Sequence, residues 1–362
     1  MNKSHILYFL FLALFASSCS NTRFLPEGEL LYTGAKVTVE GKETSKKEKK
    51  ALKTALKEVV RPKPNSSILG LRPKLYIYNL AGTPKKEKGW RYWLRTKVGE
   101  APVLYSQVDL EYNKSVLQNF AENSGYFNTR TSADSTRHGK KATTEYIVKP
   151  GKQYKIKEVK FPTDSSIIST AVRNTRRRSL LKKEEGYSLD VIKEERIRID
   201  ARLKEKGFFY FNPDYLKVQV DTTVADHQVD LIVKVKEEAP KLAETPYKIN
   251  KIIVYPNYSI GADSVKTNMD SIKKYNDLTI IDQENLFKPR IFDRALYFKK
   301  EDLYNRTDHN LSLNRLVNLG TFKFVKNQFR VSDTTGNYLD AYYYLTPLPK
   351  KSIRMEVLAK TN

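Results

Sequence analysis

Apolar positions along the chain fall into a pattern that recurs three times. Tyr154-Lys155-Ile156 leads to Val159 and Phe161, and 93 residues later Tyr247-Lys248-Ile249 leads to Ile252 and Val254. Tyr32, Val37 and Val39 repeat these offsets near the N-terminus, with Gly34 in place of the isoleucine. Apolar residues at relative positions 0, 2, 5 and 7 predict a strand whose alternation slips once, as it does at a bulge.

Helical spacing follows each strand. Leu52, Ala55, Leu56 and Val59 fall at i, i+3, i+4 and i+7 behind a capping box of Ser45 and Glu48, and Ile168, Ala171, Val172 and Thr175 repeat that spacing. A second helix then ends at a glycine. Leu189, Ile192, Ile199 and Leu203 share a face ahead of Gly207, and the equivalent glycines are Gly125 and Gly320. Ala121, Leu203 and Leu316 lie four residues before these stops, where glycine supplies the left-handed conformation that ends a helix.

An aromatic pair follows the stop: Tyr126-Phe127, Phe208-Phe209, and Thr321-Phe322 with one substitution. Two alternating strands complete each unit. Leu216, Val218 and Val220 alternate with Lys217 and Gln219; Val229, Leu231, Val233 and Val235 alternate with Asp230 and Lys234. The third unit pairs Phe322-to-Val331 with Tyr338-to-Leu345, and the first ends with Thr144-to-Lys149. One apolar and one solvated face per sheet imply helices on one side. The expected fold is α+β: three tandem β-α-α-β-β domains, each a three-stranded sheet with two helices on one face. Their predicted spans are 31–151 with a long insertion, 152–239, and 246–350 with an insertion.

Composition narrows the function. The 362 residues carry 65 Lys+Arg against 41 Asp+Glu, a net charge of +24, one Cys and four His. That excludes a disulfide framework, a cysteine zinc site and a CxxC redox pair. No GxSxG, P-loop or dinucleotide glycine pattern occurs. Glu184-Glu185, Glu194-Glu195 and Glu237-Glu238 read as surface charge, so no enzyme and no cofactor is expected.

The N-terminus adds an address. Lys3 precedes the apolar run Ile6 to Ala16, which spans about 16 Å as a helix and is too short for a membrane anchor. This predicts a signal peptide over 1–18. Ala16-Ser17-Ser18-Cys19 resembles a bacterial lipobox, with lipidation of Cys19 and a lipidated segment 19–30; the other reading is an ordinary signal peptide in which Cys19 is incidental. A basic, exported chain points to membrane surfaces and polar partners rather than nucleic acid.

At this point the chain resembles the periplasmic part of the BamA/TamA outer-membrane assembly superfamily, whose members carry tandem POTRA domains of this order ahead of a membrane β-barrel. Cys19-Ser20-Asn21-Thr22-Arg23-Phe24-Leu25-Pro26-Glu27-Gly28-Glu29 and Trp93-Leu94-Arg95-Thr96-Lys97-Val98-Gly99-Glu100-Ala101-Pro102-Val103 are similar to its lipidated TamA-like branch, TamL. The resemblance covers residues 19–350. It implies outer-membrane localisation with the domains facing the periplasm, protein assembly or translocation as the task, and a TamB-like periplasmic protein or unfolded outer-membrane protein clients as partners. The family is completed by a barrel. Here Ile353, Met355, Val357 and Ala359 alternate within 351–362, as the first strand of a truncated barrel would. The other reading is a stand-alone lipoprotein acting as a structural adaptor; the downstream reading frame separates the two.

A sheet edge can take up an extended segment through backbone bonds, which suits many client sequences. The candidate edges are Tyr215, Leu216, Lys217, Val218, Gln219 and Val220, with Lys323, Phe324, Val325 and Lys326 at the start of the second. The competing reading is that Lys217, Lys323 and Lys326 simply block pairing. The basic runs Lys46-Lys47, Lys49-Lys50, Lys85-Lys86 and Arg176-Arg177-Arg178 read as solvated faces or as attraction to anionic head groups. Trp90 and Trp93, the two tryptophans, read as packing of the first insertion or as an exposed aromatic anchor.

Overall fold

A repeated alternation of buried and exposed positions builds three sheets among the described residues. The computed structural model describes residues 21–41, 43–259, 272–332 and 336–349; the leader, Cys19 and the segment 351–362 lie outside them. In the first repeat β1 (Leu31–Val39), β2 (Arg130–His138) and β3 (Lys141–Lys149) take the order β1-β3-β2. β3 runs parallel to β1 and antiparallel to β2. In the second, β4 (Lys155–Lys160), β5 (Leu216–Ala225) and β6 (Gln228–Val235) take the order β4-β6-β5.

The third repeat departs from the three-stranded expectation. It contains β7 (Lys248–Tyr255), β8 (Ile272–Tyr275), β9 (Leu278–Ile281), β10 (Phe322–Val331) and β11 (Tyr338–Pro347), in the order β10-β11-β7-β9-β8. Its insertion contributes the β8–β9 hairpin, with β9 parallel to β7. The two strands are four residues each, too short for a periodicity to be legible.

The helices fall where the apolar stripes place them. The first repeat has α1 (Lys46–Val59) and, after an insertion bearing α2 (Pro73–Ala81) and α3 (Trp90–Trp93, continued by a wider turn Leu94–Val98), α4 (Leu110–Asn123). The second has α5 (Ile167–Arg173) and α6 (Leu189–Lys204); the third has α7 (Arg290–Ala295) and α8 (Arg306–Asn318). At the head of α1 the Ser45 hydroxyl accepts from the Glu48 N–H at 3.3 Å, and the Glu48 carboxylate accepts from the Ser45 N–H at 2.8 Å. Leu52, Leu56, Leu117 and Ala121 from α1 and α4 meet Val37, Tyr146 and Val148 in one core. In the third repeat Phe292 and Leu316 meet Ile252, Val254, Ala341 and Tyr343 likewise. Tyr146 and Tyr343 take equivalent central places, and burial raises both phenol pKa values.

The slip in the first strand is a bulge. The β1–β3 register shifts between Tyr32 and Gly34, and the β11–β7 register shifts at Leu339/Asp340, opposite Ile249 and Lys251. Hydrogen bonds also correct the repeat alignment in the first unit. Tyr187 N donates to Tyr154 O at 2.8 Å, Tyr304 N to Tyr247 O at 2.9 Å, and Tyr105 N to Leu30 O at 2.8 Å. Leu30, not Tyr32, therefore stands where Tyr154 and Tyr247 stand. Tyr32 takes the place of Ile156 and Ile249, its N–H donating to Val103 O at 2.9 Å as theirs do to Glu185 and Asp302. Offsets counted through a bulge match equally well two residues out of phase, which is why spacing alone misplaced it.

The chain forms two compact bodies. One comprises the first repeat and the start of the second through Lys157, with the segments Lys183–Asp190 and Thr222–Val229; the other comprises the rest of the middle repeat and the third. Each body holds one joint between repeats. Gly125 O accepts from Tyr154 N at 2.9 Å, and Gly207 O accepts from Tyr247 N at 2.9 Å. Both glycines have left-handed φ, +91° and +90°. Beyond them Phe127 packs its ring on Tyr154 and Tyr187, while Phe209 packs on Tyr304 and Phe329.

Candidate partner-binding edges

In each repeat the last strand lies between the first strand and a strand at one flank of the sheet. The first strand of each unit carries a short antiparallel bridge from the segment before the second helix: Leu31 to Leu104, Lys155 to Gly186, and Lys248 to Leu303. In the third repeat β9 also lies along β7. The opposite flanks are β2, β5 and β10. A flanking strand turns one row of backbone donors and acceptors away from its sheet, the geometry that strand addition requires.

All of the candidate residues but Tyr215 sit on outer strands; Tyr215 ends the short turn Pro213–Tyr215 that leads into β5. Leu216 is buried under the sheet, Val218 and Val220 are half-buried, and Lys217 and Gln219 face solvent. Tyr215 O accepts from Lys236 N at 2.8 Å, and Lys234 Nζ donates to Gln219 Oε1 at 3.4 Å. A cleft of about 810 Å³ opens here, lined by Tyr215, Lys217 and Gln219 on one side and Lys234, Lys236 and Glu237 on the other. It adds a recess of mixed charge beside the strand, assembled from a turn and two strands, so no local motif announces it.

The β10 edge differs. Its register with β11 shifts between Phe322 and Phe324, so a bulge falls on Lys323. Lys323 Nζ lies 5.3 Å from the centre of the exposed Phe324 ring. Bulges and lysines blunt an edge. Val325 and Lys326 lie beyond the bulge, where pairing runs regularly to Val331. Strand β2 was not among the candidates, because Arg-Thr-Ser-Ala-Asp-Ser-Thr-Arg-His has no apolar face to reveal it.

One expected surface charge is in the interior. Glu195 is fully buried, its carboxylate 2.6 Å from Arg198 Nε and accepting from the Leu180 N–H at 3.0 Å. Arg198 also reaches the Thr175 carbonyl at 3.3 Å. The pair ties α6 to the end of the preceding helix, a structural role for a residue whose partner lies only one turn away. Asp230, buried on β6, is paired at 2.8 Å with Lys160 Nζ, and this bond raises the lysine's pKa. Among the described residues no group of three or more His, Cys, Asp or Glu could hold a metal, and no helix is long and apolar enough to cross a membrane.

Strand order, parallel first-to-last pairing and paired helices together define an α+β array of tandem POTRA-type units. Among solved structures the chain is similar to POTRA domains 3–5 of Haemophilus influenzae BamA, at 14% identity over 89% of this chain and 99% of that one, with a TM-score of 0.41. It is also similar to POTRA domains 1–3 of the Omp85 periplasmic domain from Anabaena, at 15% identity over 90% and 98% of the two chains, with a TM-score of 0.28. BamA from Haemophilus ducreyi lacking POTRA domains 1–3 matches at 15% identity over 54% of this chain and 30% of that one, TM-score 0.35. With these TM-scores below 0.5, the fold assignment rests on strand order and register within each repeat. No protein-family model and no curated protein matches the sequence.

Proposed function

We propose that this chain is the periplasm-facing POTRA region of an outer-membrane protein assembly or translocation factor of the BamA/TamA kind, nearest the lipidated TamL branch. It takes up extended segments of unfolded outer-membrane clients, or of a TamB-like periplasmic partner, by strand addition, and feeds a C-terminal barrel. Cys19 carries the lipid that holds it at the outer membrane. The observation that carries this reading is the asymmetry of the strands: the first strand of each repeat is bridged from the segment before the second helix, while β5 and β10 lie outermost. Backbone pairing there is tolerant of client sequence, and the cleft beside Tyr215–Gln219 gives side chains of an added strand a place to sit.

The test places a photoreactive residue at Gln219 and presents an unfolded outer-membrane barrel chain. Cross-linking is expected at Gln219 and is lost in Val218→Pro, with circular dichroism unchanged. Equal cross-linking in a folded Val218→Pro chain rules the edge out.

A further inference from the structure

We infer that the helical hairpin inserted in the first repeat docks on an anionic lipid surface, with its tip seated in the head-group region. The hairpin is a firmly rooted platform. The buried Asn113 side chain donates to Arg61 O at 2.6 Å and accepts from Arg61 N at 2.9 Å. The buried Asn65 makes the same double clamp to Ala101 O at 2.6 Å and Val103 N at 2.9 Å. Within the hairpin, Arg95 lies 3.8 Å from the Tyr78 ring centre and donates to Tyr78 OH and Gly82 O, each at 2.6 Å. These bonds spend the inward-facing polar groups on holding α2 and α3 together.

What the platform leaves outside is unusual for a surface. Leu80 is 72% exposed, Trp90 67%, Trp93 56% and Tyr76 46%. Tyr76 and Leu80 are four apart on α2, and Trp90 and Trp93 three apart on α3, so each pair shares a side of its helix. Between them the connection carries Lys85, Lys86 and Lys88, followed by Arg91, all exposed, against one acid, Glu87. Tryptophan interleaved with lysine is the composition of a membrane-interface anchor, where the ring sits among head groups and the cations meet lipid phosphates. A protein interface of this kind would be depleted in lysine.

The chain's own course points the same way. Asn79 Nδ2 donates to Asn21 O at 3.4 Å, beside Leu80, and Leu25 packs with Leu31, Leu75 and Leu104. A residue two positions before Asn21 lies within about 7 Å along the chain. A lipid on Cys19 would therefore enter a bilayer next to the hairpin. The membrane setting comes from the proposed function; the docking residues do not depend on acylation.

Trp90 and Trp93 are the chain's two tryptophans, so fluorescence excited selectively in tryptophan, beyond the absorption of the 23 tyrosines, reads this surface alone. The full chain carrying Cys19→Ser, which cannot be acylated there, is titrated with phosphatidylethanolamine–phosphatidylglycerol vesicles, with and without brominated acyl chains. The expected result is a blue shift with bromine quenching, lost at high salt and with phosphatidylcholine alone. Replacing Lys85, Lys86 and Lys88 together by Glu is expected to weaken partitioning about tenfold or more, with the leader common to both chains. Emission unmoved by the anionic vesicles in a natively folded chain overturns the inference and leaves a protein as the occupant. If mass analysis finds wild-type Cys19 unmodified while the Cys19→Ser chain still shifts, docking stands and the lipidation reading fails. If Cys19 is acylated and the tryptophans of Cys19→Ser do not respond, docking fails and lipidation stands.

Discussion

Gly125 and Gly320 end equivalent helices and look alike in the sequence, yet they do different work. A Cβ on Gly125 would lie 2.8 Å from the backbone oxygen of Tyr187, whereas one on Gly320 would meet nothing within 4 Å. Gly207 resembles Gly125: its Cβ would fall 2.8 Å from Leu303 Cδ1 and 3.1 Å from Tyr247 N. The first two glycines let the backbone of the following repeat come close, while the last only turns the chain out of a helix. The residue after next follows the same division. Phe127 and Phe209 reach rings of the following repeat, but Phe322 packs against Phe287 and Phe292 of its own core. A helix stop becomes a joint when a repeat follows it.

Substituting the glycines sharpens that contrast most. Gly125→Ala combines a positive φ with a clash against backbone, and is expected to cost about 3 kcal/mol or more. Gly207→Ala should cost somewhat less, since the nearest atom belongs to a side chain that can rotate. Gly320→Ala carries the φ penalty alone, about 1 kcal/mol. Denaturant midpoints of the three full-length variants check the order. Equal losses at Gly125 and Gly320 would remove the distinction between joint and stop.

The joints also mark the limit of what the sequence discloses. Apolar spacing is imposed by the sheet and helix periods, so the β-α-α-β-β order, the Ser45–Glu48 cap and the buried faces of β3, β6 and β11 were legible. Strand β2 was not, because the residues on its half-buried face, Thr131, Ala133 and Ser135, are polar or small, although Ala133 packs against the core. The β8–β9 hairpin was hidden by brevity, and Tyr32 was misaligned because a bulge changes the count without changing the residue types. Of the candidate site, β5 and β10 showed as alternating strands. The bridges to the first strands come from Leu104, Gly186 and Leu303, which share no residue type. A tyrosine does precede the second helix of every unit, at Tyr105, Tyr187 and Tyr304, and that column was the available signal.

A smaller effect separates the joints from each other. Phe209 meets Tyr210, Tyr304 and Phe329, while Phe127 meets Tyr154 and Tyr187. Truncating a half-buried ring loses its burial and its edge-to-face contacts, so Phe209→Ala should cost about 2–3 kcal/mol and Phe127→Ala about 1–2 kcal/mol. Thermal unfolding of each variant, with limited proteolysis to show which body opens, reads the difference. A Phe127→Ala loss larger than that of Phe209→Ala would reverse the ranking and imply that ring count does not govern the joints.

Acid gives the gentlest discrimination. The second joint places His309 against Tyr304, whose hydroxyl lies 3.1 Å from His309 Nδ1, and against the Phe329 ring. Burial, reinforced by the nearby Arg306 guanidinium, lowers the His309 pKa, while burial pushes the Tyr304 phenol up to about 12. The unfolded chain therefore takes up a proton on this imidazole at a higher pH than the folded chain does. Stability from this group is present in full above the ordinary imidazole value, about 6.5, and is lost as pH falls from there toward the folded value. One proton sets the slope at no more than about 1.4 kcal/mol per pH unit. His309→Gln should flatten the stability profile below pH about 6.5 relative to wild type, the two profiles running parallel near pH about 8. An unchanged slope in that variant would place the acid sensitivity elsewhere and leave the two joints alike in their response to pH.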